Sequence, residues 1–130
     1  FIDDNFAGNP AWTRKFLERM KPLKLKWNAA VSLNIADDLQ LLDLMKESGC
    51  QSLFIGFESI NPHSIDKVHK IQNDINKYEK AIKAIHDRGI MINASFVFGL
   101  DGDTKETFRY TLEHHIQELH CMNILKKKVV

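Results

Sequence analysis

Ser52-Leu53-Phe54-Ile55-Gly56-Phe57 decides the architecture, because it is a short, continuously apolar run that ends against a carboxylate, Glu58. A run of this length without polar alternation reads as a strand of a parallel sheet, covered on both faces. It is preceded by a helical pattern in which Asp37 or Asp38 is the cap, Leu41, Leu42 and Met45 form the apolar stripe, and Gly49 is the left-handed stop. It is followed by Asn61-Pro62, which starts a brief helix, and by a longer helix striped by Tyr78, Ala81, Ile82 and Ile85 before Gly89. Strand, helix, strand at this spacing makes the neighbouring strands parallel.

The same alternation extends in both directions. Upstream, Asn9-Pro10 pairs a cap residue with proline at the first helical position, and Trp12, Phe16 and Met20 form the expected stripe before Pro22. A strand is expected from about Leu25 to Leu33, and Phe1 to Phe6 reads as the end of an earlier one. Downstream, a buried strand is expected from Ile90 through Phe98 with Gly99 at its end. Asp103-Thr104-Lys105-Glu106 then reads as a capping-box variant with Asp in the cap position, opening a helix striped by Phe108, Leu112, Ile116 and Leu119. Cys121 to Leu125 is the candidate for a last strand. The fold class expected is α/β, a parallel (β/α) repeat forming part of a TIM-type barrel, with residues 1–130 as a single domain.

Composition narrows the function classes. With 18 basic and 17 acidic side chains there is no electrostatic case for nucleic acid. No apolar run approaches the roughly 20 residues that span a bilayer, so no membrane partner is expected. Two distant cysteines, Cys50 and Cys121, argue against a disulfide framework and fit a reducing, cytoplasmic compartment. His114 and His115 are adjacent and face different directions on a helix, and the other four histidines have no partner at ligand spacing, so no protein-only metal site is expected. A start at Phe1 followed by strand-like residues reads as a piece of something longer.

Polar residues gather where a parallel sheet presents ligand sites, at the carboxyl ends of its strands. These are Asp3-Asp4-Asn5, then Ser32 and Asn34, then Glu58-Ser59, then Asp101 and Asp103 after Gly99. The opposite ends carry Lys24, Gly49-Cys50-Gln51 and Arg88-Gly89, which read as plain turns. Asp37, Asp38 and Asp103 also suit helix caps, and that reading stays open for them. Glu58 ends a buried apolar strand and needs a partner, which favours a functional role.

Three segments together resemble a known family. Phe1-Ile2-Asp3-Asp4-Asn5-Phe6, Phe54-Ile55-Gly56-Phe57-Glu58-Ser59 and Phe96-Val97-Phe98-Gly99-Leu100-Asp101 are similar to successive strand ends of radical S-adenosylmethionine (radical SAM) enzymes. The likeness is to the class with an upstream cobalamin-binding domain, which includes anaerobic magnesium-protoporphyrin ester oxidative cyclases. Trp27, Asn34-Ile35-Ala36-Asp37-Asp38 and Ser48-Gly49-Cys50 add to it. The resemblance implies the second to fifth units, and the start of a sixth, of a six-unit barrel. It implies S-adenosylmethionine and a 4Fe-4S cluster in a full-length parent, with cobalamin an option there. Asp3, Asp4 and Asn5 would meet the amino group of the methionine moiety, Glu58 and Ser59 the ribose, and Phe96 to Gly99, through Phe98 and Gly99, the adenine. Ser32, Asn34 and Asp101 complete the expected rim.

Two departures bear on activity. The Cys-x₃-Cys-x₂-Cys loop that holds three irons of the cluster is absent from these 130 residues, and Ala30 stands where relatives often carry glutamine. The chain by itself is therefore expected to have no catalytic residues and no activity, contributing strand ends to an iron–sulfur-dependent radical reaction in the full-length protein. The alternatives are a folded, non-catalytic interaction remnant, or a magnesium-dependent β/α enzyme using Asp3, Asp4 and Glu58 as oxygen ligands. An incomplete barrel also leaves sheet edges and apolar faces to cover, so a homo-oligomer is expected through the exposed edge or face, with Phe54, Phe57, Phe96 and Phe98 the residues concerned.

Overall fold

The computed structural model describes residues 1–58, 78–99 and 103–111. Helix α1, Pro10–Met20, begins as its sequence requires: the Asn9 side chain accepts from the Trp12 N–H at 3.1 Å, and Pro10 fills the first position. Its buried face is Thr13, Leu17 and Met20, rotated from the expected stripe. Trp12 is 53% exposed and stacks on Phe16 at a ring separation of 5.0 Å. Thr13 can sit at the centre of the buried face because its hydroxyl reaches the carbonyls of Asn9 at 2.9 Å and Phe6 at 3.1 Å.

Strand β1 is shorter than expected, Trp27–Ala30, and the chain turns through a 3₁₀ segment, Leu33–Asp37. Asp38, not Asp37, caps helix α2, Leu39–Glu47, by accepting from the Leu41 N–H at 3.0 Å. Leu41, Leu42 and Met45 are fully buried, as their spacing demands. Each contributes about 1.5–3 kcal/mol relative to an exposed position. Gly49 ends the turn at φ 102°, and strand β2, Cys50–Glu58, follows.

Helix α3, Tyr78–His86, buries Tyr78, Ala81, Ile82 and Ile85, and the Tyr78 hydroxyl donates to the Phe57 carbonyl at 2.6 Å. Strand β3, Met91–Phe96, is shorter than the expected run. Helix α4, Lys105–Tyr110, is capped by Thr104 with Thr107 as its reciprocal partner, so the capping box lies one residue later than expected. Asp103 is engaged elsewhere: its carboxylate accepts the Gly99 N–H at 3.0 Å. The expected helix after Asn61-Pro62 and the expected strand over Cys121 to Leu125 lie outside the described residues.

The three strands form one parallel sheet in the order β1-β2-β3. One face is the core: Ala29, Leu53, Ile55, Phe57 and Ile92 share a single cluster with the apolar faces of α1, α2 and α3. The other face is open. Phe54, expected to be covered, is 50% exposed, and Asn28 and Asn93 stand on the same face. No helix among the described residues is long and apolar enough to cross a membrane.

Candidate site at the strand carboxyl ends

All three strands point the same way, so Ala30, Glu58 and Phe96 end on one rim, and β2 reaches it with Glu58 paired to Phe96. The segment before α1 is held on this rim. It is a turn rather than the expected strand end, yet it borders β1: the Phe1 backbone nitrogen donates to the Asn28 carbonyl at 2.7 Å and the Phe6 N–H to the Ala30 carbonyl at 2.9 Å. The Asn5 amide donates to the Ser32 hydroxyl at 3.0 Å, and the Ser32 N–H returns to the Asn5 side-chain oxygen at 3.3 Å. This reciprocal pair explains the early end of β1, since Ser32 bonds the turn instead of a strand. Asp3 supports the turn by accepting the Asn5 N–H at 3.2 Å.

The remaining rim residues differ in how far they are committed. Asp4 and Asn34 are exposed, and their side chains make no hydrogen bond or ion pair among the described residues. The backbone of Glu58 closes β2. Ser59 and Asp101 lie outside the described residues. Phe98 is 38% exposed and stacks on Phe108 at 4.2 Å. Gly99 has φ 87°, and a methyl group built on it would meet nothing within 4 Å, so a ligand can approach its backbone closely.

Thr13 was not singled out by its sequence context, although its hydroxyl fastens α1 to the Phe6 carbonyl directly below the Asp3–Asn5 turn. Also missed was a polar row on the open face: the Asn93 amide donates to the Ser52 hydroxyl at 3.1 Å, and Ser52 donates to the Asn28 side-chain oxygen at 2.9 Å. A lone asparagine in each of two short alternating strands was the available signal; its pairing needs the register.

The donor set for an iron–sulfur cluster does not fit. Cys50 sits at the amino end of β2, opposite the rim, fully buried, and burial pushes its thiol up to about 12. Such a thiol is not a thiolate ligand at neutral pH. Among the described residues no three His, Cys, Asp or Glu side chains are grouped to hold a metal ion.

Residues 8–115 match the family model of the Radical SAM superfamily. The chain belongs to the radical SAM superfamily. Relatives within it include the bacteriochlorophyllide d C-12(1)-methyltransferase of Chlorobaculum tepidum, 34% identical over 117 residues, covering 90% of this chain and 26% of that protein. The anaerobic magnesium-protoporphyrin IX monomethyl ester cyclase of Rubrivivax gelatinosus is 32% identical over 78 residues, covering 60% of this chain and 14% of the cyclase. The radical S-adenosylmethionine methyltransferase TsrM of Kitasatospora setae superimposes with a TM-score of 0.75 at 20% identity, covering 90% of this chain and 24% of TsrM. That likeness is one of fold, and it makes the parallel sheet part of a TIM-type α/β architecture. TsrM has been solved with a SAM analogue and tryptophan, and also with cobalamin and a 4Fe-4S cluster. This radical SAM chain thus spans about a quarter of the length of the methyltransferase it matches.

Proposed function

We propose that this chain supplies the S-adenosylmethionine-binding strand ends of a radical SAM enzyme, with the cluster ligands provided by another part of a longer protein. The observation that carries this is the Asn5–Ser32 pair, which holds the turn bearing Asp3 and Asp4 beside the end of β1, on the rim where the backbone of Glu58 closes β2. Bound there, S-adenosylmethionine supplies a sulfonium centre for radical or methyl chemistry. Asp3 and Asp4 are acceptors for its ammonium group, with Asn5 fixing their turn and Ser32 and Asn34 on the adjoining wall. Glu58 and Ser59 take the two ribose hydroxyls. Phe98 offers its aromatic ring to the adenine and Gly99 its backbone, with Asp101 two residues further along the sequence.

The 4Fe-4S cluster, and cobalamin in the longer protein, belong to this reading through the family and through TsrM. The two cysteines of this sequence do not fit the cluster, so no step of the reaction is assigned to these residues and the isolated chain is read as inactive. A cytoplasmic setting accords with a free, buried Cys50. No observation favours the alternative of a magnesium site on Asp3, Asp4 and Glu58.

The test is equilibrium dialysis of the chain against S-adenosylhomocysteine, which needs no cluster chemistry. Saturable binding that Asp4→Asn and Glu58→Gln each weaken about tenfold, the worth of a charged hydrogen bond, supports the reading. Binding indifferent to both substitutions counts against it.

A further inference from the structure

The rim end of β2 is where the sheet gives it least support. Strand β1 has already ended level with Phe54, so beyond that point β2 pairs, among the described strands, with β3 alone. That pairing is itself interrupted. Gly56 lies opposite Ser95 and Glu58 opposite Phe96, so two steps of β2 answer one step of β3 and Phe57 falls outside the register. A bulge of this kind bends its strand and re-aims the chain that follows. Phe57 is buried, and its carbonyl is satisfied from outside the sheet: the Tyr78 hydroxyl donates to it at 2.6 Å.

Tyr78 is fully buried at the head of α3, in a stripe whose other members, Ala81, Ile82 and Ile85, are wholly apolar. Leucine or phenylalanine would serve packing alone at that position, whereas a buried phenol needs a partner for its hydroxyl. The Tyr78 ring meets Phe57 edge-on at 4.9 Å, and Phe57 stacks on Phe96 at 5.6 Å, so the bulge is gripped from the core side as well. Helix α3 packs in turn on the 3₁₀ segment Leu33–Asp37, which carries Asn34 of the rim. We infer that Tyr78 is a positioning residue for the adenosyl ligand: its hydroxyl fixes the bulged end of β2, and with it the place from which Glu58 meets the ribose. Tyr78 acts only through the Phe57 backbone. The inference rests on the ribose role proposed for Glu58.

Tyr78→Phe removes the hydroxyl and keeps the ring, and Glu58→Gln removes the carboxylate charge. Each variant is dialysed against S-adenosylhomocysteine and against its 2′-deoxyribose counterpart. Sucrose in the buffer offsets the stability lost with the hydrogen bond, and far-ultraviolet circular dichroism establishes that each variant is folded. The unaltered chain should prefer the ribose compound about tenfold, the worth of a charged hydrogen bond. Tyr78→Phe should bring that preference to within about twofold and leave affinity for the deoxy compound unchanged, because only the contact at the ribose hydroxyls is misplaced. A residue that merely stabilises the core would weaken both compounds alike; that result, or a preference kept in full, overturns the inference. In the ligand-free chain the Glu58 amide resonance should move in Tyr78→Phe, since its nitrogen shares a peptide group with the Phe57 carbonyl, and an unmoved resonance also overturns it. Glu58→Gln separates the two readings. No preference in the unaltered chain, or one that survives Glu58→Gln, strikes the rim reading and this inference with it. A preference lost in Glu58→Gln but kept in Tyr78→Phe strikes this inference alone.

Discussion

Gly49→Ala is the perturbation whose cost the structure fixes most closely. At φ 102° an alanine already costs about 1–2 kcal/mol for its left-handed backbone. The added Cβ would lie 1.9 Å from the Leu25 carbonyl oxygen and 3.1 Å from its carbon, both backbone atoms that cannot swing aside. The turn must therefore shift by about 1 Å to restore ordinary contact. That shift strains two hydrogen bonds at the start of β1, Trp27 N–H to Gly49 O at 3.1 Å and Trp27 Nε1 to the Ser48 carbonyl at 3.0 Å. At about 1 kcal/mol each, the total comes to about 3–4 kcal/mol. This is a large share of a domain's usual stability of about 5–15 kcal/mol. Gly89→Ala is the control, because Gly89 also has a positive φ, 63°, but its added Cβ would meet only the flexible end of Lys46 at 3.4 Å. Urea unfolding followed by tryptophan fluorescence should give a loss for Gly49→Ala at least 1.5 kcal/mol beyond that of Gly89→Ala, by the same estimate. Equal losses would refute the close approach of this turn to Leu25.

Other expectations can be checked on the same protein. Burial lowers the pKa of His86 from its ordinary 6.5, and its Nε2 is buried without a partner among the described residues. The unfolded chain therefore binds the proton first, and stability should fall as pH drops below about 6.5; His86→Gln should flatten that slope in thermal unfolding measured from pH 7.5 to 5.5. With its thiol near 12 and fully buried, Cys50 should resist dithiobisnitrobenzoate at pH 8 in a Cys121→Ser background until urea unfolds the chain, whereas rapid native labelling would place it at the surface. Light scattering at micromolar concentration should report a dimer or larger assembly rather than the 15.0 kDa monomer, since Phe54, Met91 and Phe98 leave apolar surface on and beside the open sheet. Phe57, 1% exposed, and Phe96, packed against the core, need no such cover.

The parts of the fold that were legible in the sequence are those governed by local chemistry. Asn9-Pro10, Asp38 and the glycines at 49, 89 and 99 mark boundaries because caps and left-handed stops depend on a few adjacent residues. The stripes of α2 and α3 were legible because each buries one face in one core. Helix α1 was misjudged because its aromatic side chains gather in an edge cluster, with Trp12, Phe16, Phe6 and Phe1 ring to ring, while a threonine satisfied by two carbonyls takes the core position. Asp103 looked like a cap, but its carboxylate is taken by the Gly99 N–H four residues back, and Thr104 caps the helix in its place. Ser32 and Asn34 follow the end of β1 as their sequence suggested, whereas Asp3 to Asn5 reach it from a turn rather than from a strand. The Asn5–Ser32 pair and the Asn28–Ser52–Asn93 row were not legible, because both join residues more than twenty positions apart and exist only once the register is set.

The S-adenosyl site proposed for the strand-end rim of this radical SAM chain can be mapped residue by residue. Amide chemical-shift mapping by nuclear magnetic resonance on the labelled chain, titrated with S-adenosylhomocysteine to millimolar concentration, tests it most directly. Saturable shifts are expected only at residues 3–5, 32–34, 56–59 and 98–101, with the amino-end turns around Gly49 and Gly89 unmoved. Shifts centred on those turns, or none at any rim residue, would contradict it.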